Sequence, residues 1–62
     1  MKLNCWKENV SLLKQLCRDE GIKCSAKKLH TDVEGDTLYE FKAKTPLSRK
    51  AQDYYDKHRV RK

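Results

Sequence analysis

With two glycines and one proline in 62 residues, the chain has no glycine-rich loop to cradle a phosphate group and no flexible or Pro-rich linker between domains. It has no C-x-x-C pair: Cys5, Cys17 and Cys24 are an odd number at wide spacings, where a small secreted scaffold carries an even set arranged to pair. A structural zinc site would have to combine Cys17, Cys24 and His30 with Cys5 or His58, and it lacks the tight ligand pairs such sites use. The cysteines therefore read as small buried thiols, and no metal or other cofactor is expected. No apolar run approaches a membrane span. Met1 to Val10 also lacks the apolar stretch and small-residue cleavage site of a signal peptide. These features point to a cytoplasmic protein with no membrane partner.

The chain is short of apolar residues, 37% against 39% charged, a balance near the limit at which burial can still offset chain entropy. Its length allows a single small domain over residues 1–62, with a core contributing a few kcal/mol of net stability at about this size. The expected state is a monomer, or a homodimer that enlarges the core.

Charge is what the chain has in excess. The net charge is +6, and it is unevenly spread. Up to Phe41, Lys2, Lys7, Lys14, Arg18, Lys23, Lys27 and Lys28 are balanced by Glu8, Asp19, Glu20, Asp32, Glu34, Asp36 and Glu40. From Lys42 onward, Lys42, Lys44, Arg49, Lys50, Lys57, Arg59, Arg61 and Lys62 face only Asp53 and Asp56. A neutral folding half and a basic binding half is the straightforward reading.

Hydrophobic spacing predicts a helix from about Glu8 to Glu20, with Val10, Leu13, Leu16 and Cys17 on its inner face and Leu12 and Trp6 extending the stripe. Asn4 or Asn9 could cap its start, and Gly21 sits where a left-handed residue ends a helix. If Asn9 is the cap, Met1 to Trp6, with Leu3 and Cys5 alternating, can form a short edge strand. From Ile22 the period becomes two, through Cys24, Ala26, Leu29, Thr31 and Val33. Glu34-Gly35-Asp36 marks a turn, and Thr37 to Ala43 is rich in β-formers, so a hairpin is expected with Tyr39, Phe41 and Ala43 facing the first helix. Thr45 as N-cap and Pro46 at the first helical position would open a second helix, burying Leu47, Ala51, Tyr54 and His58 with Tyr55 beside them. The expected fold is α+β in the order helix, β-hairpin, helix, with a core of Trp6, Val10, Leu13, Leu16, Ile22, Tyr39, Phe41, Leu47, Ala51 and Tyr54. A rival reading starts a short helix at Ser25 and makes a winged helix-turn-helix. Few apolar anchors support that helix, and an acidic wing tip of Asp32, Glu34 and Asp36 would repel a phosphate backbone.

The second helix is the candidate nucleic-acid surface. Lys50, Lys57 and Arg61 recur at helical spacing around Tyr54, which could stack on a base, while Arg49, Arg59 and Lys62 extend the basic area and Lys42 and Lys44 add to it. Arg49 and Lys50 in a first turn oppose the helix dipole, which argues for a role other than helix stability. The primary reading is thus a small basic nucleic-acid-binding protein with DNA ahead of RNA, a regulatory or accessory protein of the phage or mobile-element type, and not an enzyme. The alternative is a protein-binding inhibitor or adaptor that meets an acidic partner, with Trp6, Tyr39, Phe41 and the tyrosines as anchors.

Over about residues 10 to 50, the helix, hairpin and helix order is loosely similar to that of the small HicA-type toxin ribonucleases. Their Gly-Ser-His-His run is missing here, and the single His30 stands near that place. The resemblance implies a minor alternative, a metal-free ribonuclease with His30 as general base.

Overall fold

The alternation of Leu3 and Cys5, turned inward, with exposed Lys2 and Asn4 makes Lys2–Trp6 a strand, β1. The computed structural model, which describes residues 1–61, continues without a loop into α1 (Lys7–Asp19), then β2 (Cys24–Thr31), β3 (Thr37–Ala43) and α2 (Arg49–His58). The three strands form one antiparallel sheet in the order β1-β3-β2. The fold is therefore α+β as expected, with the N-terminal strand present. Ser25 to Thr31 is strand and not the helix that a winged helix-turn-helix requires.

Both helices cover one face of the sheet. Cys5, Val10, Leu13, Cys17, Phe41, Ala43, Leu47, Ala51 and Tyr55 form the buried cluster, with Leu13, Cys17 and Phe41 fully enclosed. The buried spacing runs from Leu47, just before α2, through Ala51 to Tyr55, four residues at each step. Tyr55 is 3% exposed and Tyr54 49%, so Tyr54 leaves the expected core and Tyr55 takes its place. His58 is likewise exposed. Trp6 is half-buried and is not among the hydrophobics packed on this cluster.

The helix ends have specific causes. α1 stops in a Schellman motif: Ile22 N–H reaches the Cys17 carbonyl at 2.8 Å and Gly21 N–H that of Arg18 at 3.1 Å, with Gly21 at φ 69°. The start of α1 departs from expectation, because Trp6 stands at the N-cap without a side-chain capping hydrogen bond. Asn9 is buried inside the helix and bonds Val60 instead. The start of α2 also differs. The cap is Ser48, whose Oγ accepts from Ala51 N–H at 3.2 Å, and Thr45-Pro46 lies in the preceding loop. The reason is a distant residue: Glu20, at the end of α1, accepts from Ser48 N–H at 3.0 Å and from its hydroxyl, holding Ser48 extended. A carboxylate there also suits the positive end of α2, whose own first turn has no acid.

The β2–β3 hairpin turns as expected. Gly35 has φ 86°, and Asp32 Oδ1 accepts from the backbone N–H of Glu34 and Asp36 at 2.9 and 3.0 Å. A bulge between Lys28 and His30 breaks the alternation that the sequence suggests. As a result Leu29 is exposed rather than turned inward, and Val33 is exposed because β2 has ended before it and it lies in the turn.

Candidate nucleic-acid interface

Since the helices cover one face, the other face of the sheet is open, and the strand register states what it carries. Trp6 pairs with Leu38 and Leu38 with His30; Asn4 pairs with Glu40 and Glu40 with Lys27; Lys2 pairs with Lys42 and Lys42 with Ser25. One further hydrogen bond, Lys44 N–H to the Lys23 carbonyl at 3.0 Å, extends the ladder and adds those two lysines by alternation. The open face thus collects Lys2, Lys23, Lys27, Lys42 and Lys44 around the acid Glu40. Glu40 Oε2 lies 3.5 Å from Lys2 Nζ and its Oε1 3.5 Å from Lys42 Nζ. Partial burial pushes the Glu40 carboxyl up, but the two ammonium groups outweigh that and hold it below its ordinary value.

The expected α2 stripe is divided by the fold. α2 ends at His58, so Arg59 and Arg61 leave the helix in an extended tail. Asn9 pins that tail through Val60. Arg59 lies over the Tyr55 ring, 5.9 Å from its centre, and Arg61 reaches the Asp56 carbonyl at 3.5 Å. The tail arginines share a concavity at the edge of β1 with Asn4, Trp6 and Leu38, so they adjoin the apolar end of the open face.

Arg49, Lys50, Tyr54 and Lys57 lie elsewhere, lining a groove between α1 and α2. Tyr54 packs on His58 there, ring centres 4.2 Å apart. Asp19, Glu20 and Asp53 line the same groove, so the cations there lie among acids. Lys62 lies outside the described residues. Of the other expected contact residues, Lys42, Lys44, Arg59 and Arg61 fall on or beside the open sheet and the rest on the helical side.

Charge counted along the chain missed Lys2 and Lys23, because each sits in the half whose total is neutral. The signal was the alternation of the strands: Leu38, Glu40 and Lys42 had to share the face opposite Tyr39, Phe41 and Ala43. The chemical groups of the minor readings are not gathered. His30 stands in β2 and His58 in the helical groove. Among the described residues no group of three or more His, Cys, Asp or Glu could hold a metal ion. No helix among them is long and apolar enough to cross a membrane. Cys17 is pushed up to about 11 by burial and by the neighbouring Cys24 thiol, and burial also raises Cys5. No protein family, curated protein or solved structure matches the chain.

Proposed function

We propose that this chain is a nucleic-acid-binding protein that contacts phosphates with the open face of its sheet, aided by Arg59 and Arg61, rather than with the outer face of α2. The observation that carries the reading is the gathering of Lys2, Lys23, Lys27, Lys42 and Lys44 on one uncovered surface whose acid, Glu40, is already paired. Lysines on edge strands can serve only to block aggregation. That explanation does not reach Lys42, which belongs to the central strand β3.

The test compares two triple variants of equal charge. Lys2, Lys42 and Lys44 are changed to Gln in one, and Arg49, Lys50 and Lys57 to Gln in the other, with oligonucleotide anisotropy measured over a range of salt. The sheet variant is expected to lose affinity and to flatten the log-log salt slope by about 2, near 0.7 for each phosphate contact to a single strand. The α2 variant should stay within about threefold of the parent, since its cations lie among acids. The reverse result would move the site to α2.

The inhibitor or adaptor reading is favoured by one observation, the exposed Tyr54–His58 ring pair in the α1–α2 groove. Phe41 and Tyr55 are buried and cannot serve as its anchors. An acidic protein partner captured by the parent and lost with the α2 variant would establish it in place of the first.

A further inference from the structure

Lysine and apolar side chains are not mixed at random on the open face. The lysines occupy its far rows, with Lys27 opposite Glu40 in the middle row, whereas the row nearest the hairpin is Trp6, Leu38 and His30, one residue from each strand. Trp6 and Leu38 are both half-buried and lie outside the buried core cluster. Arg59 and Arg61 stand beside this row at the β1 edge.

Building on the nucleic-acid reading, we infer that the ligand is a single strand, with an unstacked base lying on Trp6 beside Leu38 and the phosphates running along the lysines and the tail arginines. An indole face accepts any base, but only where the base is not already stacked in a duplex. Successive rows on one sheet face are about 6.6 Å apart. That spacing suits an extended strand, whose step exceeds the ~3.4 Å of a stacked one. Duplex binding fits the shape poorly. A major groove about 12 Å wide admits a helix or a two-stranded ribbon, not a three-stranded sheet backed by helices. The ribbon that does project carries Asp32, Glu34 and Asp36 at its tip.

The charge of the face selects a polyanion, and the apolar row distinguishes one that has bases. Heparin carries the charge without them. Trp6 is the sole tryptophan, so its fluorescence reports on this row alone. The experiment titrates the full chain with a twelve-nucleotide single-stranded DNA, its RNA counterpart, the matched DNA duplex and heparin, following anisotropy and Trp6 emission at low and near-physiological salt. The expected result is quenching by single strands with at least a fivefold preference over duplex. Trp6→Leu should remove that preference, lowering single-strand affinity roughly tenfold, while Trp6→Phe keeps most of it. Circular dichroism of both variants separates loss of binding from loss of fold, and if Trp6→Leu unfolds, quenching and preference in the parent with Trp6→Phe decide alone. The DNA and RNA arms distinguish the two sources of the same chemistry. Equal or tighter binding to duplex without quenching would overturn the single-strand inference and leave the phosphate-binding face standing. Equal binding to heparin, or none to any oligonucleotide near physiological salt, would overturn both.

Discussion

The side-chain amide of Asn9 bonds both polar groups of the Val60 backbone, donating from Nδ2 to the carbonyl at 2.9 Å and accepting at Oδ1 from the amide at 2.7 Å. This pairing imitates a strand ladder with a single side chain. It fixes residues 59–61 beside β1, and with them the arginines that flank the open sheet face.

Asn9→Ala should therefore cost about 1–3 kcal/mol, since Asn9 is 3% exposed and its removal strips two partners from a part-buried backbone. In a domain this small each kcal/mol lowers Tm by about 4–8 °C. Asn9→Asp keeps the acceptor but turns a second oxygen toward the Val60 carbonyl. It should be at least as destabilising at neutral pH and partly recover on acidification, when the protonated acid regains a donor. Thermal melts at neutral and acid pH check both variants. Amide exchange at Val60 that stays slow in Asn9→Ala would show that the tail is held by something else.

Glu20 links the end of α1 to the start of α2. The hydrogen bonds from Ser48, first from its hydroxyl and then from its backbone N–H, hold the Glu20 carboxyl below its ordinary value of 4.5. A depressed folded-state value means that the stabilisation is fully present above pH 4.5 and is lost as pH falls through the lower folded value. Glu20→Gln should thus lower Tm at neutral pH and shrink the difference between neutral and acid melts. Ser48→Ala removes the cap itself, at about 1 kcal/mol. An unchanged acid limb in Glu20→Gln would mean that this staple contributes nothing.

What the sequence made legible was local, and what it hid was the result of long-range pairing. The Schellman end at Gly21, the hairpin at Gly35 and the inward face of Phe41 each follow from residues a few positions apart. The start of α2 does not, because Thr45-Pro46 is a sound local signal that loses to a bond between Glu20 and Ser48, 28 positions apart. Tyr54 and Tyr55 were adjacent candidates for one buried position. The regular four-residue step from Leu47 through Ala51 selects Tyr55, once Leu47 is seen to precede the helix. The lysine face was hidden most deeply, since Lys2, Lys27 and Lys42 meet only when β1 and β2 flank β3, a strand order no local pattern states.

Burial makes Cys5 and Cys17 reporters of folding rather than reactive groups. Cys5 and Cys17 are enclosed and their thiols raised, Cys17 to about 11, while Cys24 is half-buried. At neutral pH a colourimetric thiol reagent should modify Cys24 first and reach Cys5 and Cys17 only on unfolding. Because the folded-state values are raised, stability should decline as pH rises above the ordinary thiol value of 9.0. Rapid modification of all three thiols in folded protein would contradict the enclosed core.

Among the described residues Glu40 is the one acid on the lysine face, and it engages two of the cations that the proposed ligand needs. Its bonds to Lys2 and Lys42 are broken or shared whenever a phosphate takes those ammonium groups, so in binding it acts as a competitor. Glu40→Gln keeps the size and the hydrogen-bonding oxygen while removing the charge. It should leave the fold intact, tighten single-strand binding, and steepen the salt slope by up to about 0.7 for each lysine released. Most substitutions on a binding face weaken it, so a gain from removing a charge is a demanding outcome. A generic polycation would gain from any lost acid, which makes Asp53→Asn in the helical groove the control. If the two variants gain equally, net charge and not the sheet face governs binding; if Glu40→Gln gains alone, the ligand lies across Lys2 and Lys42.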